Sequence, residues 1–264
     1  MIKLRHIILE QSTNPKALIL AGAPGAGKSS FIEGVKDALI LNVDDAYMRN
    51  LKDLNVSLDL KNADAEERSK AAKAMAAANK EFRPMTREII LGKKNFILDG
   101  TAASSGPTLR LKKELEELGY DVLMVYVFAS LEKALERNDS RFDRSDGNDR
   151  SLAPAIVLRT WKGVTDNLKP YASLFGSNFV AVANTLEGNK IKDVEDILKT
   201  YLEPFTPQGT KPKTPAQQEK SKQQKLELNA EIQAMLNDEF LEDILTYTVS
   251  KDEAQSKLQN FLRS

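Results

Sequence analysis

The sequence predicts an α/β fold, with a five-stranded parallel sheet sandwiched by helices and a C-terminal helical appendage. Two observations lead to this prediction. Short apolar runs of β character alternate with segments of helical periodicity, a pattern typical of a parallel sheet covered on both faces. The chain has 264 residues, of which 41% are hydrophobic and 29% charged, and this is enough for one medium-sized domain and an appendage.

The candidate strands are short apolar runs of β character. They lie at 16–22, 39–43, 95–99, 121–128 and 178–183. Helices are predicted within the alanine-rich stretch 62–90, from Gly106 to about Gly119, and after Ser130, which can cap the next segment. We interpret the alanine-rich helix as part of the scaffold.

The composition changes at Glu203, where prolines begin to recur among Thr, Gln, Gly and Lys. This divides the chain into a first domain at 1–203, a linker at 204–225 and a C-terminal helical segment at 226–264. Residues 226–245 show helical spacing, and Ser250 to Glu253 form a capping box before a last helix. Such short helices hide little surface alone, so they either dock on the first domain or bind a protein partner or a second copy.

Composition excludes several classes of protein. The 38 Lys and Arg balance the 38 Asp and Glu, so no global basic field favours nucleic acid. The chain has no cysteine, which excludes disulfides, thiolate nucleophiles and cysteine metal sites. Since neither a signal peptide nor an apolar run of 18 residues is present, we expect a cytoplasmic protein without membrane contact. The sole histidine, His6, precedes the first strand and is a poor candidate for a general base.

A complete G-x-x-x-x-G-K-[ST] motif occupies residues 22–29, directly after the first strand and before an amphipathic segment. Glycines let the backbone wrap a phosphate chain, whose charge is favoured by free N–H groups at a helix N-terminus. Lys28 is placed to reach the β- and γ-phosphates, and the Ser29 hydroxyl to ligate Mg²⁺. The predicted nucleotide-binding residues are Gly22, Ala23, Pro24, Gly25, Ala26, Gly27, Lys28, Ser29 and Ser30.

Carboxylates follow two of the strands. Asp99 ends the apolar run 96–98 in the manner of a Walker B segment, which predicts a second Mg²⁺ ligand beside Ser29. Thr101 is a candidate for phosphate or substrate binding, although a turn role for residues 100–102 is an alternative. Asp44 is the candidate base that orients an acceptor hydroxyl, with Asp45 as the alternative, because a slip of one residue decides which side chain faces the phosphate. An aspartate here could also cap the next helix.

The segment 137–150 mixes arginine with aspartate and glycine and contains few apolar residues. We interpret it as a lid whose arginines close over a transferring phosphoryl group, the alternative being a solvated charged loop. Arg137 and Arg141 are the first candidates because they lie four residues apart. Arg150 is the third candidate.

Taken together, residues 16–203 resemble a P-loop kinase of the zeta-toxin and related small-molecule kinase group, with a P-loop nucleoside-kinase-like fold. The resemblance rests on the loop 22–29, the Asn-x-Asp-Asp element at 42–45, residues 98–101 and the arginines between 137 and 150. It implies that Asn184, in Val-Ala-Asn-Thr at 182–185, lies near the adenine. Members phosphorylate hydroxyls with ATP and Mg²⁺: zeta toxins act on UDP-N-acetylglucosamine, and relatives act on antibiotics, nucleotides or polynucleotide ends. Residues 48–83 show no signature of a sugar-nucleotide pocket, so that substrate is not carried over.

The leading hypothesis is therefore an ATP- and Mg²⁺-dependent kinase that phosphorylates a hydroxyl of a small molecule or nucleotide-like substrate. One alternative is an NTPase or nucleotide-gated binding module acting through the C-terminal helices. Another is a polynucleotide 5′-kinase, which needs a basic groove and aromatic stacking. We interpret Trp161 as a packing residue. The candidate basic residues for that groove are Lys93, Lys94, Arg110, Lys112 and Lys113.

Overall fold

The structure, a computed structural model, describes residues 14–33, 35, 38–185 and 214–264. Their strands form one parallel sheet in the order β2-β3-β1-β4-β5-β6. The predicted α/β class with helices on both faces is confirmed, but the predicted number of five strands is wrong, because the sheet has six. The strands are β1 Lys16–Ala21, β2 Leu39–Leu41, β3 Phe96–Asp99, β4 Asp121–Ala129, β5 Phe179–Thr185 and β6 Thr248–Val249.

Helices cover both faces of this sheet. The first eight are α1 Ser29–Ile32, α2 Val43–Asp53, α3 Ala65–Leu91, α4 Ser105–Glu117, α5 Leu131–Asp139, α6 Arg141–Arg144, α7 Pro154–Asp166 and α8 Leu168–Phe175. A 3₁₀ turn, Gly176–Asn178, precedes β5. The C-terminal helices are α9 Pro215–Ala234, α10 Asp238–Tyr247 and α11 Lys251–Arg263.

The central strand β1 divides the core into two parts. Ala17, Ile19 and Ala21 face one hydrophobic cluster, and Leu18 and Leu20 face the other, all of them buried. This alternation is the period of two that a strand imposes on its side chains. Because both sides are buried, the strand appears in the sequence as a continuous apolar run.

The C-terminal segment docks on the sheet. Thr248 and Val249 pair in parallel with Ala181 and Val182 of β5. Ile244 of α10 is buried in the cluster on one face of the sheet, whereas α11 packs into the cluster on the other face. The sixth strand escaped prediction because it has only two residues, too few for a periodic pattern.

The structure describes only the second part of the predicted linker at 204–225. Residues 204–213 lie outside the described residues, and 215–225 form the first half of α9. Thr214 and Gln217 form a capping box, and Pro215 occupies the first turn, where its missing N–H is tolerated. The predicted helical stretch 226–245 is divided, because Asn237 caps a new helix by accepting from Phe240 N at 2.7 Å.

A third hydrophobic cluster lies beside the sheet, between α2, α3 and the loop that joins them. Leu51 of α2 and Ala74 and Ala78 of α3 are completely buried there. The small alanine side chains let the two helices approach closely. Within the part of the chain that the structure describes, no helix is long and apolar enough to span a membrane.

Candidate active site

The glycine-rich loop lies between β1 and α1. Gly25 and Gly27 have φ of +79° and +90°, a region that L side chains rarely adopt. A Cβ on Gly25 would also lie 2.6 Å from the backbone oxygen of Ala134 at the start of α5. The motif glycines are therefore required by backbone conformation and by the close approach of α5.

The side chain of Lys28 folds back and binds the first residues of the loop. Its Nζ donates to the backbone oxygens of Gly22 at 2.9 Å and Ala23 at 3.1 Å. Burial lowers the pKa of Lys28 to about 8, and the carboxylates of Asp99 and Asp44 oppose that shift. Both carboxylates therefore lie close enough to Lys28 for their negative charge to favour its protonated form.

A cavity of about 910 Å³ opens in front of the loop. Its lining comes from the loop, the ends of β2 and β3, helices α2 and α3, the segment 137–150 and the start of α7. The carboxyl ends of β2 and β3 bring their polar residues to this edge, where open parallel sheets bind ligands. Of the predicted nucleotide-binding residues of the loop, the ones in the lining are Pro24, Gly25, Gly27, Lys28 and Ser29, whereas Gly22, Ala23, Ala26 and Ser30 are not part of it.

Asp99 lies at the end of β3 and lines the cavity with Thr101. Burial raises the pKa of Asp99, and nearby Lys28 opposes this. The side-chain amide of Asn42 donates to Asp99 Oδ2 at 3.0 Å. Thr101 also has a structural role, since its backbone oxygen accepts from Gly22 N at 3.1 Å.

Asn42 joins the two acidic residues. Its Oδ1 accepts from the backbone N–H of Asp44 at 2.8 Å, which makes Asn42 the N-cap of α2, while its amide holds Asp99. The alternative in which an aspartate caps this helix therefore does not occur. The sequence reasoning gave Asn42 no role, although asparagine one residue before a helix is a recognised capping signal.

The two candidate bases have different surroundings. Asp44 lines the cavity, and its Oδ1 lies 2.5 Å from Nη2 of Arg150. Asp45 is exposed and does not contribute to the lining. Arg150 is only 7% exposed, its Nε is buried without a hydrogen-bond partner, and its guanidinium lies 5.1 Å from the centroid of the Tyr47 ring.

All three predicted lid arginines line the cavity. Arg137 Nη1 donates to the backbone oxygen of Gly25 at 3.0 Å, directly on the glycine-rich loop. Arg141 pairs with Asp149 at 2.5 Å. Sequence reasoning missed a further arginine of the lining, Arg68 on α3, and did not single out Arg144 of α6, which lies within the predicted lid segment.

The segment 137–150 is fastened to the loop between α2 and α3. Ser151 is completely buried, and its Oγ donates to Asp59 Oδ1 at 2.6 Å. Lys61 N donates to Ser151 Oγ at 3.2 Å, and Lys61 Nζ lies 2.6 Å from Asp139. These contacts fix the backbone beside Arg150.

The remaining candidates are not part of the cavity lining. Asn184 donates to the backbone oxygen of Ala26 at 2.7 Å and so supports the glycine-rich loop. Trp161 is buried and donates from Nε1 to Ala129 O at 2.9 Å, which fits its interpretation as a packing residue. The five basic residues considered for a polynucleotide groove do not line the cavity; two of them, Lys112 and Lys113, pair with glutamates one turn along α4.

The donor set suits Mg²⁺. Ser29 and Asp99 both line the cavity beside the loop, and they offer a hydroxyl and a carboxylate oxygen. Magnesium is bound through one or two carboxylates together with phosphate and water oxygens, so a dense cluster of protein ligands is not needed. Among the described residues, no group of three or more His, Cys, Asp or Glu is placed to hold a metal.

Several solved structures are similar to the chain. A candidate kinase from Chloroflexus aurantiacus has 16% identity and a TM-score of 0.46, over 72% of this chain and all of that one. The PezAT toxin–antitoxin system of Streptococcus pneumoniae has 15% identity and a TM-score of 0.47, over 85% of this chain and 88% of that one. The Pnkp1/Rnl/Hen1 RNA repair complex has 13% identity and a TM-score of 0.43, over 80% of this chain and 86% of that one.

These structural similarities are too distant to bear on the substrate. No curated protein matches the chain significantly. The zeta toxin family model, in contrast, matches residues 3–191. This match covers the glycine-rich loop, both acidic strand ends and the arginine-rich segment, and the chain therefore belongs to the zeta toxin family.

Proposed function

We propose that this protein is an ATP- and Mg²⁺-dependent kinase that transfers the γ-phosphoryl group to a hydroxyl of a small molecule or nucleotide-like substrate. One observation carries the proposal. Lys28, Asp99 and Asp44 influence one another electrostatically within a cavity that five arginines line. Phosphoryl transfer depends mainly on positioning and charge stabilisation, which this combination of groups can provide.

The loop and its lysine bind the nucleotide. Lys28 exchanges its bonds to Gly22 O and Ala23 O for phosphate oxygens, while the backbone N–H groups surround the phosphate chain. Ser29 and Asp99 would hold the metal, and Asn42 keeps the Asp99 carboxylate in place. Bound ATP with Mg²⁺ supplies an activated phosphoryl group whose negative charge the metal partly neutralises.

Asp44 orients the acceptor. The acceptor oxygen forms a bond to the γ-phosphorus as the bond to the β–γ bridging oxygen breaks, and the hydroxyl proton passes to the Asp44 carboxylate. Arg150 holds that carboxylate, while Arg137, anchored on the loop, and Arg141 neutralise charge on the equatorial phosphate oxygens.

The first experiment follows label from γ-labelled ATP. The purified protein is incubated with Mg²⁺ and a panel of sugar nucleotides, nucleosides, DNA and RNA 5′-ends and a small-molecule extract, with Lys28→Ala as control. We expect label to reach an acceptor in a Lys28-dependent manner. Release of label only as free phosphate, or binding without turnover, would instead favour a nucleotide-gated module. Transfer to DNA or RNA ends would favour a polynucleotide kinase.

The second experiment compares neighbouring carboxylates. Asp44→Asn removes the proton acceptor and should lower transfer roughly 100-fold or more, while the Kd for nucleotide changes little. Asp45→Asn, one residue away but exposed, should leave both nearly unchanged. A large loss in Asp45→Asn with normal Asp44→Asn would exchange the roles of the two residues, and indifference to both would argue against a kinase.

A further inference from the structure

The side-chain amide of Asn184, on β5, holds a peptide group of the glycine-rich loop. Its Nδ2 donates to the backbone oxygen of Ala26 at 2.7 Å, across 158 positions of the chain. Ala26 is completely buried, whereas the next residue, Gly27, lines the cavity. In a planar trans peptide the C=O of one residue and the N–H of the next point in opposite directions. The N–H of Gly27 therefore points away from Asn184.

The direction of this peptide group matters to an anion in the cavity. Within the described part of the chain, no backbone oxygen accepts from Gly27 N, so this donor is available to a phosphate oxygen. If the peptide turned over, the oxygen of Ala26 would take the place of the N–H and repel phosphate. The hydrogen bond from Asn184 therefore fixes which of the two groups meets the ligand.

A bulge in β5 brings Asn184 to the loop. Phe128 of β4 pairs with Ala183, and Ala129 pairs with Thr185, so that Asn184 is an extra residue of β5 between two paired positions. A bulge bends its strand and changes the direction of a side chain, and bulges are common beside active sites. Shortly before the bulge, β5 also pairs with β6, so strands hold it on both sides.

The amide of Asn184 and the backbone of Gly27 fit each other. A Cβ on Gly27 would lie 2.2 Å from Nδ2 of Asn184, which is far inside the usual contact distance of two heavy atoms. This glycine is therefore required by the Asn184 amide as well as by its φ of +90°. The amide thus lies directly against the peptide group that it holds.

Two of the other side chains that donate to carbonyls of the loop are cations. Lys28 binds two oxygens at the start of the loop, and Arg137 binds the oxygen of Gly25. The phosphates of a bound nucleotide compete for both cations, because hydrogen bonds between charged groups are the stronger ones. The amide of Asn184 is neutral and is attracted less, so it stays on the Ala26 oxygen when a nucleotide binds.

We infer that Asn184 is a positioning residue for the phosphate chain of the nucleotide. By holding the oxygen of Ala26, it keeps the N–H of Gly27 directed at a phosphate. This role differs from a contact with the adenine, because it requires a phosphate chain and no base. The inference rests on the proposed kinase function, in which the loop binds ATP.

The test compares a ligand that has a base with one that has none. Titration calorimetry with Mg²⁺, in the absence of an acceptor, measures the Kd of ATP and the Kd of inorganic tripolyphosphate. Asn184→Ala should raise both Kd values by the same factor, roughly tenfold. Asn184→Asp keeps the shape of the side chain but has no N–H for the Ala26 oxygen, so it should raise both values at least as much.

Asn167→Ala is the matched control. The amide of Asn167 also donates to backbone oxygens, those of Ala103 at 3.1 Å and Gly163 at 2.7 Å, but Asn167 is not part of the cavity lining. Both alanine variants lose a partly buried amide, so both should unfold at a slightly lower urea concentration than the wild type. Only Asn184→Ala should change the two Kd values.

The outcomes separate this inference from the proposed function. A higher Kd for ATP with unchanged binding of tripolyphosphate would overturn the inference in favour of a contact with the base. Unchanged Kd values in Asn184→Ala and Asn184→Asp, or an equal rise in Asn167→Ala, would also overturn it, and each of these results leaves the kinase function intact. A wild-type protein that binds neither ligand would contradict the kinase function itself.

Discussion

At the scale of single residues, position relative to one cavity separates side chains that look equivalent in the sequence. Asp44 and Asp45 are adjacent carboxylates, yet only Asp44 lines the cavity and pairs with Arg150. The difference arises because Asn42 fixes where α2 begins, and the start of a helix sets the direction of every later side chain. A substitution at Asp44 should therefore affect chemistry, and one at Asp45 should not.

The lowered pKa of Lys28 predicts a pH dependence of nucleotide binding. In the free protein Lys28 loses its proton above a pKa of about 8, so a smaller fraction carries the charge that attracts phosphate as the pH rises. Because phosphates are already ionised above pH 7, we expect nucleotide affinity to fall about tenfold between pH 7 and pH 9. Titration calorimetry across this range measures it.

Lys28→Met is the matched control for this experiment, because it keeps an unbranched side chain and cannot titrate. Its weaker affinity should stay constant between pH 7 and pH 9. An equal decline in both proteins would show that another group is responsible.

At the scale of elements, helix starts and helix faces position the site. The Asn42 cap connects the start of α2 with the end of β3, because one amide group serves both Asp44 N and Asp99. Helix α3 was interpreted as scaffold, but one of its faces lines the cavity. Alanine periodicity fits a packed face and a ligand-facing surface equally well, so the sequence pattern could not distinguish them.

Two substitutions separate the functions of Asn42. Asn42→Ser retains a capping oxygen but has no amide to hold Asp99, so we expect near-normal stability with lower phosphoryl transfer. Asn42→Ala loses both interactions and should also lower the free energy of unfolding by about 1 kcal/mol. Urea unfolding and the transfer assay measure the two effects. Equal transfer by Asn42→Ser and wild type would show that Asp99 needs no support from this amide.

At the scale of the whole molecule, the C-terminal segment is part of the sheet and of both cores. Helix α11 places Ala254 and Leu258 in the same cluster as Phe31 and Ile32 of α1, the helix that follows the phosphate-binding loop. Packing of this kind couples the stability of the loop to residues more than 200 positions away in the chain. Of the fates considered for this segment, docking on the first domain is the one seen in the structure.

A substitution in α11 tests this coupling. Leu258 is 2% exposed, and Leu258→Ala should lower the free energy of unfolding by about 2–4 kcal/mol within a single cooperative transition. Leu245→Ala, at a position 47% exposed, should cost much less. A separate early transition in Leu258→Ala, with the main transition unchanged, would show that the C-terminal segment folds independently.

The sequence by itself determined the features that local chemistry specifies. These include the α/β class, five of the strands, the glycine-rich loop, Asp99 and the arginines of the segment 137–150, because a motif or a continuous apolar run leaves a local signal. Tertiary structure alone decided which of two adjacent aspartates faces the cavity, brought Arg68 and α3 into the site, and recruited Thr248–Val249 as a sixth strand. The place of Arg68 and α3 and the sixth strand depend on contacts between residues distant in the chain, which have no periodicity that a local pattern can reveal. The Asn42 cap that starts α2 is local, but the position of that helix beside the cavity is set by tertiary packing.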